Sequence, residues 1–312
     1  MIEIIGENPK IKNILKQIDQ IAALDIAVLL SGESGTGKDL FAQLIHIKSR
    51  TSGPFIPVNT GAIAKDLVAS ELFGHEKGAF TGASYMQKGK FEIAQGGTLF
   101  LDEISTIGME CQISLLRVLE AKQIQRVGGS REIPVNTRVI AATNENLKEA
   151  IKNNTFREDL YHRLNVFQFR IPPLRERGED IDILTDYFLK KYSREFNKNI
   201  KAVSSETREA LHEYSWPGNV RELENILMRM CITAPSDTIT DDLLPEAVKG
   251  NGNDPEQFVL PVGTSLKNAE KALIKETLEY YRGNKSETAD TLKISRKALY
   301  NKMKAYGLEK FE

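Results

Sequence analysis

Short apolar runs recur along the first 171 residues between stretches of helical periodicity: Ile26 to Leu30, Phe55 to Val58, Thr98 to Leu101, Arg138 to Ala142 and Val166 to Ile171. Continuous apolar runs of this length, without strict alternation, predict strands buried on both faces. That is the signature of a mostly parallel sheet covered by helices on either side, an α/β arrangement. From Asp180 to about Leu244 the pattern becomes helical, broken once by Trp216-Pro217-Gly218-Asn219 ahead of the run Val220 to Leu227. Lys249 to Pro255 is crowded with turn and breaker residues, and Pro261 and Gly263 prolong the interruption, which reads as a linker. The expected division is therefore an α/β part over 1–176, an all-helical part over 177–248, a linker over 249–263 and a small helical module over 264–312.

In that last module Leu266, Ala269, Leu273, Leu278 and Tyr281 are spaced as one apolar helical stripe, either core or dimer seam. Gly283 ends the helix, Ser286 to Leu292 forms a second, and Ser295 is placed to cap a third through Arg296, Lys297, Tyr300, Asn301, Lys302 and Lys304. The arrangement reads as helix-turn-helix. Base-edge contacts are expected from Arg296 and Lys297 at the start of the third helix, and phosphate contacts from Lys302 and Lys304. Charge changes the picture in the same direction. The net charge of −1 divides into +4 on residues 264–312 and −5 on the remainder, a basic module on an acidic body, as nucleic-acid binding requires. Taken alone, a few extra lysines are equally a solvated surface.

Composition narrows the class further. At 312 residues, 41% hydrophobic and 27% charged, the chain has an ordinary soluble composition and room for two or three domains. No stretch has the apolar length of a membrane span, and the start lacks a signal-peptide pattern, so a cytoplasmic protein without membrane association is expected. Cys111 and Cys231 are far apart and lack metal-type spacing, as do His46, His75, His162 and His212; reduced core cysteines are the expectation.

The strongest chemical signal is Gly32-Glu33-Ser34-Gly35-Thr36-Gly37-Lys38, between a predicted strand and a helix-compatible run beginning at Leu40. Such a loop turns its N–H groups toward phosphates, a helix N-terminus adds its dipole, and the lysine reaches the β and γ oxygens. The generic motif continues with Ser or Thr as a magnesium ligand, where this chain has Asp39. Leu99-Phe100-Leu101-Asp102-Glu103 ends an apolar strand in two carboxylates, commonplace alone but meaningful beside a phosphate loop. Asp102 is placed to hold Mg2+ with ATP, and Glu103 to polarise the attacking water. Asn144 ends another strand, where it either senses the γ-phosphate, orients water, or simply caps the strand.

Together these motifs resemble the AAA+ domain of bacterial sigma-54-dependent activators, the enhancer-binding proteins, from about Ile5 to the C-terminus. The most diagnostic segment is Glu71 to Ala83, with the string Gly78-Ala79-Phe80-Thr81-Gly82-Ala83. The resemblance implies an AAA+ P-loop NTPase with a helical lid and a C-terminal Fis-like helix-turn-helix, although the turn glycine usual there is Lys293. It implies that the Gly78–Ala83 loop touches sigma-54 when ATP is bound, and that Asn59 pairs with Glu103 as a switch. The following Thr60-Gly61 departs from the family's Cys-Ala. It further implies that Arg163, with Arg157 second, acts as a finger on the neighbouring subunit's nucleotide, where the residues alone suggest surface ion pairs, and that Arg221 is the lid's γ-phosphate sensor. The partners implied are ATP, RNA polymerase carrying sigma-54, enhancer DNA, and further copies of the chain, a dimer assembling into a hexameric or heptameric ring. Control would come from a removed N-terminal regulatory domain or from a separate protein. Two rival readings are a AAA+ chaperone or unfoldase, and a DNA-binding regulator that uses ATP only to assemble. The loop and the terminal module weigh against the first, and the carboxylate with its arginines against the second.

Overall fold

The structure, a computed structural model, describes residues 3–49, 51–249, 264–281 and 283–308. Five strands form one sheet: β1 (Val28–Ser31), β2 (Phe55–Asn59), β3 (Thr98–Asp102), β4 (Arg138–Thr143) and β5 (Phe167–Arg170). Their spatial order is β2–β3–β4–β1–β5, and every pairing is parallel, with Val28 opposite Ile140 and Asn59 opposite Asp102. The five apolar runs are these five strands.

The pleat sorts their side chains between two cores. Leu29, Leu99, Leu101, Val139 and Ala141 pack on one face with Val68, Leu72, Leu115 and Leu160. Val28, Leu30, Phe100, Ile140 and Ala142 pack on the other with Phe41, Ile45 and the stripe Ile11, Ile14, Ile18 and Ile21. That stripe belongs to helix Pro9–Ile21, which starts as its sequence dictates: Asn8 accepts the Lys10 N–H, and proline fills the first turn. Because all five strands run the same way, their carboxyl ends deliver Ser31, Asn59, Asp102 and Thr143 to one rim. Ligand sites of open parallel sheets lie at that rim.

The helical part follows with helices Gly178–Glu195, Ser205–Glu213 and Asn219–Thr233. Its start is tied back to the N-terminal strap by a buried ion pair. Arg177 Nε donates to Asp180 Oδ2 at 2.8 Å, while Asp180 Oδ1 accepts the N–H groups of Glu7 (2.6 Å) and Asn8 (2.9 Å). Trp216, fully buried, donates its indole N–H to the Leu211 carbonyl at 2.8 Å.

The chain divides into two compact units, Met1–Leu243 and Leu244–Glu312. From residue 250 on, the expected linker 249–263 lies outside the described residues. The second unit contains helices Leu266–Tyr280, Lys285–Thr291 and Arg296–Tyr306 around a core of Ile274, Leu278, Ala289, Leu299 and Met303. The apolar stripe expected on its first helix, as core or dimer seam, lies only partly in this core. Leu266 is 90% exposed and Leu273 44%, whereas Ile274 and Leu278, one turn apart, are buried. Lys293, standing where a turn glycine was expected, takes the left-handed backbone such a turn needs, with φ 53°. Among the described residues no helix is long and apolar enough to cross a membrane.

Candidate functional site

The phosphate loop leaves β1 and enters helix Lys38–Lys48. Thr36 Oγ1 donates to the Glu33 carbonyl at 2.8 Å, closing the turn, and Lys38 is 8% exposed, its Nζ donating to the carbonyls of Gly32 (2.8 Å) and Glu33 (2.9 Å). Burial lowers the pKa of the Lys38 ammonium, which the Asp102 carboxylate opposes and Arg221 reinforces. A cation so placed gains from an anion delivered to it.

One cleft is lined by Ser34, Gly35, Gly37, Lys38, Asp39, Asn59, Asp102, Glu103, Asn144 and Arg221. Residues separated by up to 187 positions thus converge around the loop. Asp102 ends β3 and uses Oδ1 to accept the Glu103 N–H at 3.0 Å, and Glu103 takes a left-handed backbone, φ 56° and ψ 43°. Asn59 reaches the same wall, with its side-chain oxygen accepting the N–H groups of Gly61 (2.9 Å) and Ala62 (3.1 Å). Asn144 follows β4 directly, beyond Thr143.

Helix Asn219–Thr233 closes the cleft from the lid side. Arg221 N–H donates to the Gly35 carbonyl at 3.2 Å, and Arg221 Nη1 reaches Ser34 Oγ at 3.4 Å. The approach is so close that a Cβ at residue 35 would stand 2.2 Å from the Gly218 carbonyl oxygen, which makes glycine necessary there. Two contacts in this region are not announced by the sequence. Arg175 holds Glu33 in a two-pronged ion pair (2.8 and 2.6 Å), pulling the Glu33 carboxyl below the usual carboxylate range. Asn219, read in the sequence only as part of a break, is fully buried with φ 53°. It donates from Nδ2 to the Ser34 carbonyl (3.0 Å) and Glu33 Oε2 (3.2 Å) and accepts the Leu174 N–H (2.8 Å). The only sequence signal was an Asn beside Gly218, a residue type that tolerates left-handed backbone.

Arg157 stands at the N-cap of helix Glu158–Leu164 and Arg163 in its last turn, and neither is among the residues lining this cleft. Arg157 is paired with Asp159 (Nε 3.0 Å, Nη2 2.6 Å), whereas Arg163 is exposed and donates from Nη2 to the Leu119 carbonyl at 3.2 Å.

The Gly78–Ala83 segment is a closed loop, with Gly78 N–H donating to the Ala83 carbonyl at 2.8 Å. Thr81 and Gly82 are exposed at its tip, Phe80 is 38% exposed, and Ala83 turns inward. His75, buried and bonded to Ser70 Oγ at 2.8 Å, meets the Phe80 ring edge-on at 5.0 Å. Below, Arg126 bridges Glu76 (2.9 Å) and Glu92 (2.9 and 2.8 Å), fixing the loop's stem.

In the second unit Ser295 caps the third helix by accepting the Ala298 N–H at 3.2 Å. Arg296, Lys297, Tyr300, Asn301 and Lys304 are exposed. Lys302 is partly exposed, its ammonium paired with Glu270 on the first helix, whose other oxygen accepts the Tyr306 hydroxyl at 2.5 Å.

With this geometry in place the comparisons are decisive. The sequence pattern described as the Sigma-54 interaction domain matches residues 4–170, the AAA+ ATPase lid domain matches 175–258, and the bacterial regulatory protein Fis family matches 265–306. The chain belongs to the sigma-54-dependent activator family. It is 44% identical to the regulatory protein AtoC of Escherichia coli (strain K12), an alignment covering 98% of this chain and 68% of that protein. It is 42% identical to the nitrogen fixation protein AnfA of Azotobacter vinelandii, covering 98% of this chain and 57% of AnfA. The crystal structure of NtrX from Brucella abortus in complex with ATP superposes with a TM-score of 0.75 at 33% identity, covering 98% of this chain and 70% of that one. The family carries a AAA+ P-loop NTPase fold, a helical lid and a Fis-type helix-turn-helix, which are the three parts described above.

Proposed function

We propose that this chain is an ATP-hydrolysing motor that binds enhancer DNA, assembles into a ring and remodels closed promoter complexes of sigma-54 RNA polymerase in the cytoplasm. The observation that carries the reading is the cleft itself, where Lys38, Asp102, Glu103, Asn144 and Arg221 meet around one phosphate loop. Lys38 and the loop N–H groups hold the phosphates, Asn144 and Arg221 contact the γ-phosphate, and Glu103 takes the proton of the attacking water. Asp102, with one oxygen engaged by the Glu103 N–H, has a second to offer a cation, and Asp39 lies on the same wall. One or two carboxylates beside a phosphate site are the donor set that fits Mg2+ held jointly with nucleotide phosphates. Bound there, Mg2+ would neutralise charge on the β and γ oxygens.

Arg163, exposed and outside its own chain's cleft, serves the neighbouring subunit's nucleotide, with Arg157 as support. A ring is the assembly that supplies such neighbours. The Phe80–Thr81 tip meets sigma-54. Ser295, Arg296, Lys297, Tyr300, Asn301, Lys302 and Lys304 face DNA. The motor extends over about residues 1–176, its lid over 177–248 and the DNA-binding module over 264–312. Replacing Glu103→Gln tests the chemistry: the amide keeps the shape and loses the base, so ATP binding should persist while turnover falls by about 10²-fold or more. Near-normal turnover would remove Glu103 from the reaction.

A further inference from the structure

The turn after Asn59 packs directly against the turn that carries Glu103. Thr60 is 2% exposed, and its Oγ1 lies 2.9 Å from the Asp102 carbonyl oxygen, 2.8 Å from the Glu103 carbonyl oxygen and 3.0 Å from Thr106 Oγ1. The Glu103 carbonyl also accepts the Thr106 N–H and Thr106 Oγ1, each at 2.9 Å. These two carbonyls belong to the peptide planes on either side of Glu103, and two flanking planes define a residue's φ and ψ. Glu103 is left-handed, a conformation that residues bearing a Cβ hold only when their surroundings impose it. Thr60 touches both planes that impose it.

The next residue acts on the side chain. A Cβ added at Gly61 would stand 1.9 Å from Glu103 Oε2 and 3.1 Å from its carboxyl carbon, so the carboxylate occupies the space a side chain at 61 would fill. Neither Thr60 nor Gly61 lines the nucleotide cleft. We infer that Thr60 and Gly61 are paired positioning residues for the Glu103 carboxylate, Thr60 fixing its left-handed backbone and Gly61 leaving the space the carboxylate needs. The inference rests on Glu103 being the base.

The test measures kcat and KM for ATP, affinity for a fluorescent ATP analogue, and Tm of the full chain, at protein concentrations where specific activity has levelled off. Thr60→Val keeps the shape and loses the hydroxyl, and kcat should fall about tenfold to a hundredfold while nucleotide affinity holds. Thr60→Ser should restore most of it. Gly61→Ala should lower kcat at unchanged Tm, because the displaced atoms are the tip of a flexible side chain. The inference is overturned if Thr60→Val and Gly61→Ala keep kcat within about twofold of the parent. It is equally overturned if Thr60→Ser fails as badly as Thr60→Val, or if the losses track nucleotide affinity or Tm. Glu103→Gln, measured alongside, separates the failures: if it turns over ATP normally the base assignment falls, whereas if it is inactive while the other variants are normal only the positioning falls.

Discussion

Asn219→Ala tests how the lid is held on the phosphate loop. The substitution leaves the buried Leu174 N–H, now bonded at 2.8 Å, without an acceptor, which costs about 1–3 kcal/mol. It also removes the donor to the Ser34 carbonyl at 3.0 Å, worth about 1 kcal/mol net. The bond to Glu33 adds little, since that carboxylate is 41% exposed and keeps its Arg175 partner. Alanine must also sit at φ 53°, a further ~1 kcal/mol that asparagine partly escapes. The total is about 3–5 kcal/mol, discounted toward 2–4 kcal/mol for relaxation. Asn219→Gly loses the same amide but tolerates the backbone, and should recover about 1 kcal/mol of it. The assay is urea unfolding followed by the emission of Trp216, the single tryptophan and a fully buried lid residue. KM for ATP should rise in both variants, because Arg221 reaches the site through the same helix start. An Asn219→Ala midpoint equivalent to less than about 0.5 kcal/mol would refute the reasoning, because a surface substitution does as much.

Two further outcomes follow from the same contacts. Arg175 lowers the Glu33 pKa from its ordinary 4.5, so this carboxylate contributes stability that is fully present above pH 4.5 and lost as pH falls below it through the folded value. The gap in Trp216-monitored urea midpoint between the parent and Glu33→Gln should therefore be constant from pH 7 to 5 and close under more acid conditions. A gap that widened in acid would reverse the sign. Thr81→Ala, at the exposed loop tip and away from the cleft, should keep ATP turnover while losing sigma-54 binding in a pull-down with the purified factor. Equal loss of both would contradict the separation of loop and site.

The five strands were legible because a sheet buried on both faces writes unbroken apolar runs into the chain. The phosphate loop, Asp102 and Glu103 were legible because their chemistry depends on neighbours in sequence. What escaped depends on residues brought together by the fold. The Asn219–Glu33 bond spans 186 positions and the Arg175–Glu33 pair 142, and no local pattern records either. The stripe on helix Leu266–Tyr280 was only partly legible because Leu273 and Ile274 are both apolar, so composition could not say which one faces Leu299 and Met303. The Lys302–Glu270 pair likewise joins residues 32 positions apart.

In the proposed motor, hydrolysis occurs at sites shared between subunits, with Lys38, Asp102 and Glu103 from one chain and Arg163 from the next. Arg163→Ala alone and Glu103→Gln alone should each be nearly inactive, since every interface of a uniform ring lacks the finger or the base. Co-assembled in equal amounts, they create interfaces in which an intact Glu103 meets an intact Arg163, about a quarter of the total if subunits mix at random. ATPase activity measured against mixing ratio should therefore rise from near zero at both ends to a maximum between them. Mixtures that demonstrably co-assemble and stay inactive at every ratio would contradict the shared site.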